Sequence, residues 1–212
     1  GGSRVTTANS PLTWLHLFAS QLGFDPIVTY YLMVSAEIVI LVCGLWVFWK
    51  SLVAQSAIRQ AGREDVVNWS FVAVTALVLL GNGQGINLGR FGFPFFHGQF
   101  YGFADGLRLA AIGLALRKRW WEAALLLSAA FVIHPPKGFF GSLVVLVVFL
   151  VSTNRHKIGA GLTRLSIFPL VATFWSFITL TRPSTTIELS EFVAWTRVFQ
   201  SHWYPLDTGV FT

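Results

Sequence analysis

The segment from Gly81 to Asp105 carries the densest group of side chains that could bind a small ligand. Its glycines permit tight turns and close approach of the backbone, and its phenylalanines supply apolar surface. Four polar side chains lie among them: Arg90, His97, Gln99 and Asp105. The combination predicts an external pocket for an anionic or sugar-bearing ligand; the alternative is a packed loop whose aromatic rings form an interfacial belt. A nucleotide-binding loop is excluded, because no strand is predicted before the segment and the G-x-G-x-x-G order is absent.

A second candidate is the short sequence His134-Pro135-Pro136-Lys137. The prolines are expected to stop a helix and to bias the residue before each toward extended backbone, which predicts a sharp outer turn. There Lys137 could hold a lipid phosphate as a point charge, and His134 could donate a hydrogen bond to it. The alternative is a rigid turn from which Lys137 reaches toward the lipid headgroups.

Charged side chains also occur inside apolar segments, where they are costly and usually face the interior of a bundle. Asp105 and Arg108 are three residues apart and therefore share a helix face. They could form a structural ion pair, or Asp105 could bind substrate or accept a proton. Glu37 is alone in its segment and requires a partner elsewhere, for which Arg108 is one candidate.

No metal site, cofactor or catalytic residue is assigned from the sequence. His97, His134 and His202 fall in segments predicted to be external, but their spacing matches no metal-ligand pattern. Cys43 is the single cysteine, which excludes an internal disulfide and a multi-cysteine metal site. The sequence also has no serine elbow and no phosphate-binding loop.

Composition places the chain in a membrane. Of 212 residues, 54% are hydrophobic and 11% are charged, whereas a soluble domain has about 25% charged residues. A soluble globular protein and a disordered chain are therefore both excluded. The net charge of +6 is attributed to cytoplasmic loops rather than to a nucleic-acid partner, because no basic stripe with interleaved aromatic residues appears.

Six apolar segments predict an all-α fold, a polytopic transmembrane bundle of about six spans. The segments are Val28–Trp49, Asn68–Gly81, Tyr101–Leu116, Trp120–Ile133, Gly138–Ser152 and Leu162–Leu180. The first and last reach the ~20 residues of a full crossing, whereas the middle four must borrow flanking residues or lie in a thinned bilayer. Residues 1–27 are predicted to be an external segment with an interfacial amphipathic helix, 28–180 the bundle, and 181–212 an external tail.

Cations alternate between the connections and predict one orientation. The richer loops contain Lys50, Arg59 and Arg63, then Arg117, Lys118 and Arg119, then Arg155 and Lys157. By the positive-inside rule these loops are cytoplasmic, and both ends of the chain are external. Because the sequence begins outside without an initiator methionine, it is expected to be a fragment of a longer membrane protein.

The architecture resembles the middle of bacterial membrane proteins of the GT-C superfold. The resemblance covers about residues 5–180 and is carried by external Asn9-Ser10-Pro11-Leu12, short spans alternating with outer loops, and the His134-Pro135 turn. It implies a glycosyltransferase that takes its sugar from a polyprenyl phosphate at the outer face of the bacterial cytoplasmic membrane. It further implies that Arg90, His97, His134 and Lys137 lie near phosphate or sugar, with Asp105 as a polar anchor, and that the catalytic acid lies upstream of this chain.

The alternative function is that of a transporter half, or of a non-catalytic structural subunit with a membrane-protein partner. A transporter would hold its polar residues near the bilayer midplane, so Glu37, Asp105 and Arg108 would be central. A transferase would gather them at the outer surface, and the predicted external positions of the histidines and of Lys137 favour it. The sugar and the acceptor are left open.

Overall fold

The computed structural model describes residues 4–6, 11–54, 64–80, 101–181 and 186–188. Its helices are α1 (Pro11–Gln21), α2 (Pro26–Val53), α3 (Glu64–Leu80), α4 (Tyr101–Leu116), α5 (Trp120–Ile133), α6 (Pro135–Ser152), α7 (Ile158–Leu165) and α8 (Ile167–Thr181). A 3-10 turn, Arg155–Lys157, precedes α7. Two short strands that the sequence did not predict, β1 (Arg4–Thr6) and β2 (Thr186–Glu188), pair antiparallel with Val5 opposite Ile187.

The contacts divide the chain into two units. One is Ser10–Ser176, which contains α1 to α7 and most of α8. The other combines Gly1–Asn9 with Phe177–Thr212 and contains the paired strands. All side chains of the candidate site described below belong to the first unit.

Among the described residues, three helical stretches are long and apolar enough to cross a membrane: Ile27–Val53, Pro135–Ser152 and Arg155–Thr181. Helix α5 is a shorter apolar helix. Large apolar side chains remain exposed along these stretches, and Val151 and Leu180 are each 84% exposed. So much exposed apolar surface is typical of helices that face lipid, and the predicted class of helical membrane protein is confirmed at this level.

Two helix starts depend on proline. Helix α2 begins at Pro26 because the Oδ1 atom of Asp25 accepts hydrogen bonds from the backbone N–H groups of Ile27 (2.7 Å) and Val28 (3.2 Å). Helix α6 begins at Pro135, since proline lacks only an N–H that would have no partner in a first turn. The predicted helix end before the prolines is confirmed, since α5 ends at Ile133 and His134 is extended. The turn is shorter than predicted, because Pro135 already belongs to α6 and His134 alone separates α5 from α6.

The last predicted span, Leu162–Leu180, is interrupted. Helix α7 ends at Leu165 and α8 starts at Ile167, with Ser166 between them. Pro169 in the first turn of α8 has no N–H for the carbonyl of Leu165, and its ring crowds that carbonyl. The predicted span nevertheless lies within the apolar stretch Arg155–Thr181, which is long enough to cross a membrane.

Helices α2 and α4 approach each other through glycines. Gly44 faces the backbone of Gly106, and a Cβ atom added at Gly106 would lie 2.8 Å from the Cα of Leu41. Gly113 meets Val47 and Phe48 farther along both helices. Small residues at a contact allow two membrane helices to pack backbone against backbone. Because Gly106 meets Gly44 and the later Gly113 meets later residues of α2, the two helices run parallel.

The opposite face of α4 packs on α5 and α6. Fully buried Ala111 and Ala115 meet a cluster that consists of Trp120, Ala123, Leu127, Val145 and Phe149. The rings of Trp120 and Phe149 contact edge to face with centroids 5.1 Å apart. Alanines on α4 thus leave room for large side chains from its neighbours, and the helix is held on both sides.

Candidate functional site

Ionisable side chains of α2, of α4, of the first turn of α6 and of its capping residue lie in one group, which we call the charge cluster. It consists of Glu37, Asp105, Arg108, His134 and Lys137. Each member is placed by the helix geometry just described, since α4 lies between α2 and α6. The cluster unites residues that the sequence had assigned to different features.

Asp105 is the centre of the charge cluster. Its Oδ1 atom lies 2.8 Å from Nη2 of Arg108, and its Oδ2 atom pairs with the Nζ atom of Lys137. The side chains of Asp105, Lys137 and Arg108 are 16%, 20% and 30% exposed, respectively. The ion pair between Asp105 and Arg108 is confirmed. The approach of Lys137 from α6 was not predicted, and it leaves one carboxylate between two cations.

His134 caps α6 and thereby positions Lys137. The Nδ1 atom of His134 accepts a hydrogen bond of 3.3 Å from the backbone N–H of Lys137. A neutral imidazole that accepts at Nδ1 carries its proton on Nε2, which is then a donor. The histidine therefore fixes the first turn of α6, from which the lysine side chain reaches Asp105.

Glu37 is 1% exposed, and it caps a helix other than its own. Its carboxylate accepts a 2.6 Å hydrogen bond from the N–H of Gly102 and another from the N–H of Phe103. Both groups belong to the first turn of α4, where N–H groups have no partner within the helix. A negative charge there is also favoured by the helix dipole. Arg108, the partner considered from the sequence, pairs instead with Asp105.

Glycines make room for these contacts. A Cβ atom at Gly102 would lie 2.7 Å from Cγ of Glu37, and one at Gly141 would lie 2.7 Å from Cγ of Arg108. Glu37 and Arg108 can therefore lie directly against the neighbouring backbones. The spacing Gly102-x-x-x-Gly106 is the one signal in the sequence that could have identified this contact in advance.

Most lysines and arginines of the described residues lie at the opposite end of the bundle, which we call the basic end; they are Lys50, Arg117, Lys118, Arg119, Arg155, Lys157 and Arg164. There Nε of Arg117 donates a 2.8 Å hydrogen bond to Oγ of Ser51, which joins the ends of α4 and α2. The ammonium of Lys50 lies 4.4 Å from the centroid of the Trp46 ring. The indole N–H of Trp49 donates to the carbonyl of Val67 in α3 at 3.2 Å.

The charge cluster lies well inside the bundle. At 1.5 Å per residue, Asp105 is about 18 Å from Arg117 along α4, and Lys137 is about 22 Å from Ser152 along α6. A hydrocarbon core is about 30 Å thick. When the basic end is placed at one boundary of the hydrocarbon core, the charge cluster lies roughly two thirds of the distance to the other boundary. Helix α2 continues about 16 Å beyond Glu37 to Pro26, so the cluster is recessed below its far end.

Of the residues predicted to bind a ligand, the structure brings together Asp105, His134 and Lys137. Arg90, His97 and Gln99 lie outside the described residues, as does His202. Within the described ranges, no group of three or more histidine, cysteine or acidic side chains could hold a metal ion.

Comparison of the chain with known protein families, with curated proteins and with solved structures gives no match.

Proposed function

We propose that the protein is an integral membrane glycosyltransferase of the GT-C type. It transfers a sugar from a polyprenyl-phosphate donor at the outer face of the bacterial cytoplasmic membrane. The observation that carries the proposal is the convergence of Lys137 and Arg108 on the carboxylate of Asp105, with His134 capping the helix that carries Lys137. Partly exposed cations beside an acidic group are suited to a ligand that combines a phosphate with sugar hydroxyls.

A bundle of six spans, α2 to α6 and α8, is part of this proposal. The parallel direction of α2 and α4 supports a return crossing by α3 between them, and the contact of Lys137 with Asp105 near the starts of α6 and α4 supports a return crossing by α5. Pairing of β1 with β2 holds both strands on one side of a membrane, which supports an even number of crossings between them. The cations of the basic end then lie in the cytoplasm, and the charge cluster opens toward the outside.

In the proposed reaction, an acceptor hydroxyl attacks the anomeric carbon of the sugar. The bond from that carbon to the phosphate oxygen breaks, and the phosphate leaves with the electron pair. Lys137 and Arg108 stabilise the negative charge on the leaving phosphate, and Nε2 of His134 donates to it. A general base takes the proton of the acceptor hydroxyl. We assign that base to no described residue, since Asp105 is engaged by two cations.

Binding of a polyprenyl phosphate to the purified protein in detergent tests the proposal. Replacement of Lys137 by glutamine is expected to weaken binding about tenfold, because one charge-assisted contact to the phosphate is lost. Asp105→Asn is expected to strengthen binding about fivefold, because it removes the carboxylate that competes for both cations. Arg155→Gln, at an exposed cation of the basic end, is the matched control. Unchanged affinity in both cluster variants would contradict the proposed site.

The second candidate function, a transporter half or a structural subunit in a membrane complex, is favoured by one observation. Glu37 is buried and satisfies α4, and Asp105 is already paired with two cations, so the charge cluster can be explained as internal stabilisation. In that case Lys137→Gln lowers the unfolding midpoint, but no variant changes polyprenyl-phosphate binding. The same titration, with unfolding followed in parallel, therefore distinguishes the two functions.

Labelling of introduced cysteines tests the topology, with Cys43→Ala as background. Phe24→Cys and Thr181→Cys are expected to react with a membrane-impermeant maleimide added to intact cells. Arg155→Cys is expected to react only after the membrane is opened. Because all three positions are exposed, lack of access reflects the membrane and not burial. Labelling of Phe24→Cys and Thr181→Cys from opposite sides would give an odd number of spans and exclude the six-span topology.

A further inference from the structure

A polar cavity lies at the basic end, remote from the charge cluster. It has a volume of about 500 Å³, and its charged lining comes from the α4–α5 connection, the end of the 3-10 turn and α7: Lys118, Lys157 and Arg164. Within the described residues, neither Lys118 nor Lys157 makes an ion pair. The carboxylate of Glu122 pairs with Arg119 at 2.8 Å and also interacts with Arg164. The cavity thus keeps an excess of positive charge; we call it the basic pocket.

Two hydroxyl groups at the wall of the basic pocket lack partners. The Oγ atom of Ser152 and the Oγ1 atom of Thr153 are buried and make no hydrogen bond among the described residues. A buried hydroxyl without a hydrogen-bond partner destabilises the fold. A phosphate oxygen is an acceptor for both, so a bound phosphate would satisfy them.

Lys118 occupies a backbone conformation that disfavours it. Its φ angle is +60°, in the left-handed region where glycine is normally found. The N–H of Arg119 donates to the carbonyl of Leu114 (3.0 Å), and the N–H of Lys118 donates to that of Ala115 (2.8 Å). This pair of bonds is the Schellman ending of a helix, whose left-handed position is usually glycine. A lysine in this unfavourable backbone conformation indicates that its side chain has a function at this position.

An apolar cavity lies deeper along the same helices. It has a volume of about 360 Å³ and is lined by Leu146 of α6 and Leu162 of α7, together with Leu127, Val145 and Phe168. Leu146 and Ser152 are about 9 Å apart along α6, so an acyl chain that extends along α6 from the basic pocket reaches the apolar cavity. The combination of a basic pocket with an apolar cavity beneath it fits a lipid better than a free phosphate ion.

We propose that the basic pocket binds the phosphate of an anionic phospholipid, with one acyl chain in the apolar cavity. Lys118, Lys157 and Arg164 balance the charge of the headgroup, and Ser152 and Thr153 donate to its phosphate oxygens. Basic pockets between membrane helices are suited to such headgroups. The site is independent of the proposed transferase function, because it lies at the other end of the bundle.

The test compares phosphatidylglycerol, phosphatidylcholine and inorganic phosphate as added ligands for the purified protein in zwitterionic detergent. Affinity is measured from the shift of the unfolding midpoint and by native mass spectrometry. Phosphatidylglycerol is expected to bind, phosphatidylcholine to bind at least about fivefold more weakly, and inorganic phosphate to cause no shift. Equal effects of phosphatidylcholine, or an equal effect of inorganic phosphate, would overturn the proposal.

Lys118→Gly is the decisive variant, because its effects on folding and on binding have opposite signs. Glycine relieves the left-handed strain, so the unfolding midpoint without added lipid is expected to rise. Affinity for phosphatidylglycerol is expected to fall about fivefold, and about 25-fold when Lys157→Gln is added. Arg155→Gln, two residues from Lys157 but not in the lining, is expected to keep wild-type affinity. Unchanged affinity in the double variant would exclude the site.

Discussion

Replacement of Gly106 by alanine is expected to lower the free energy of unfolding by about 3 kcal/mol. The added Cβ would lie 2.8 Å from the Cα of Leu41 and closer still to the carbonyl of Ile40. These are backbone atoms, which no change of rotamer can move away. The helices α2 and α4 would have to separate, and the contacts along both would weaken. Unfolding of the purified protein in detergent, followed by circular dichroism, measures the effect.

Gly159 provides the matched control for Gly106. A Cβ atom there meets nothing within 4 Å, and the residue is exposed in α7. Alanine is a better helix former than glycine, so Gly159→Ala is expected to stabilise by about 0.5 to 1 kcal/mol. Equal effects of the two substitutions would show that the contact between α2 and α4 is looser than the glycines imply.

Replacement of Glu37 by alanine is expected to destabilise the protein by about 2 to 4 kcal/mol. The substitution removes the acceptor of the Gly102 and Phe103 N–H groups. Water cannot replace it easily, because the site is 1% exposed in the wild-type protein. Heat-induced unfolding in detergent, and the yield of folded protein in membranes, are the measurements.

Two further variants separate the capping role of Glu37 from its charge. Glu37→Gln keeps one carbonyl oxygen that can accept from Gly102, so its effect is expected to be smaller, about 1 kcal/mol. Glu64→Ala removes an exposed glutamate from the first turn of α3 and is expected to cost less than about 1 kcal/mol. If Glu37→Gln were as destabilising as Glu37→Ala, the stabilisation by Glu37 would come from its charge rather than from its capping hydrogen bonds.

Those features of the site that depend on local spacing could be predicted from the sequence. Asp105 and Arg108 are three residues apart on one helix, and their ion pair follows from that distance. The hydrogen bonds of Asp25 to the first turn of α2 are equally local, since an aspartate directly before a proline is typical of the start of a helix. The apolar composition also predicted a helical membrane protein, because composition is known without any knowledge of how the helices pack.

The remaining contacts depend on how helices are rotated about one another. Glu37 reaches Gly102 only because glycines bring α2 and α4 together, and residues 65 apart in sequence carry no pairwise signal in a single chain. Lys137 reaches Asp105 because α6 already begins at Pro135. In a sequence, a proline is equally compatible with the end of one helix and with the first turn of the next. The hydrogen bond that resolves the ambiguity comes from the His134 ring.

Pairing of β1 with β2 has a consequence for biogenesis. Residues 4–6 are synthesised among the first of this sequence, and residues 186–188 follow only after every helix of the bundle. The first strand therefore leaves the ribosome long before its partner exists, and its backbone N–H and C=O groups stay available throughout insertion. Closure of this pair is a late event of assembly, and two chains inserted side by side can exchange strands before it is complete.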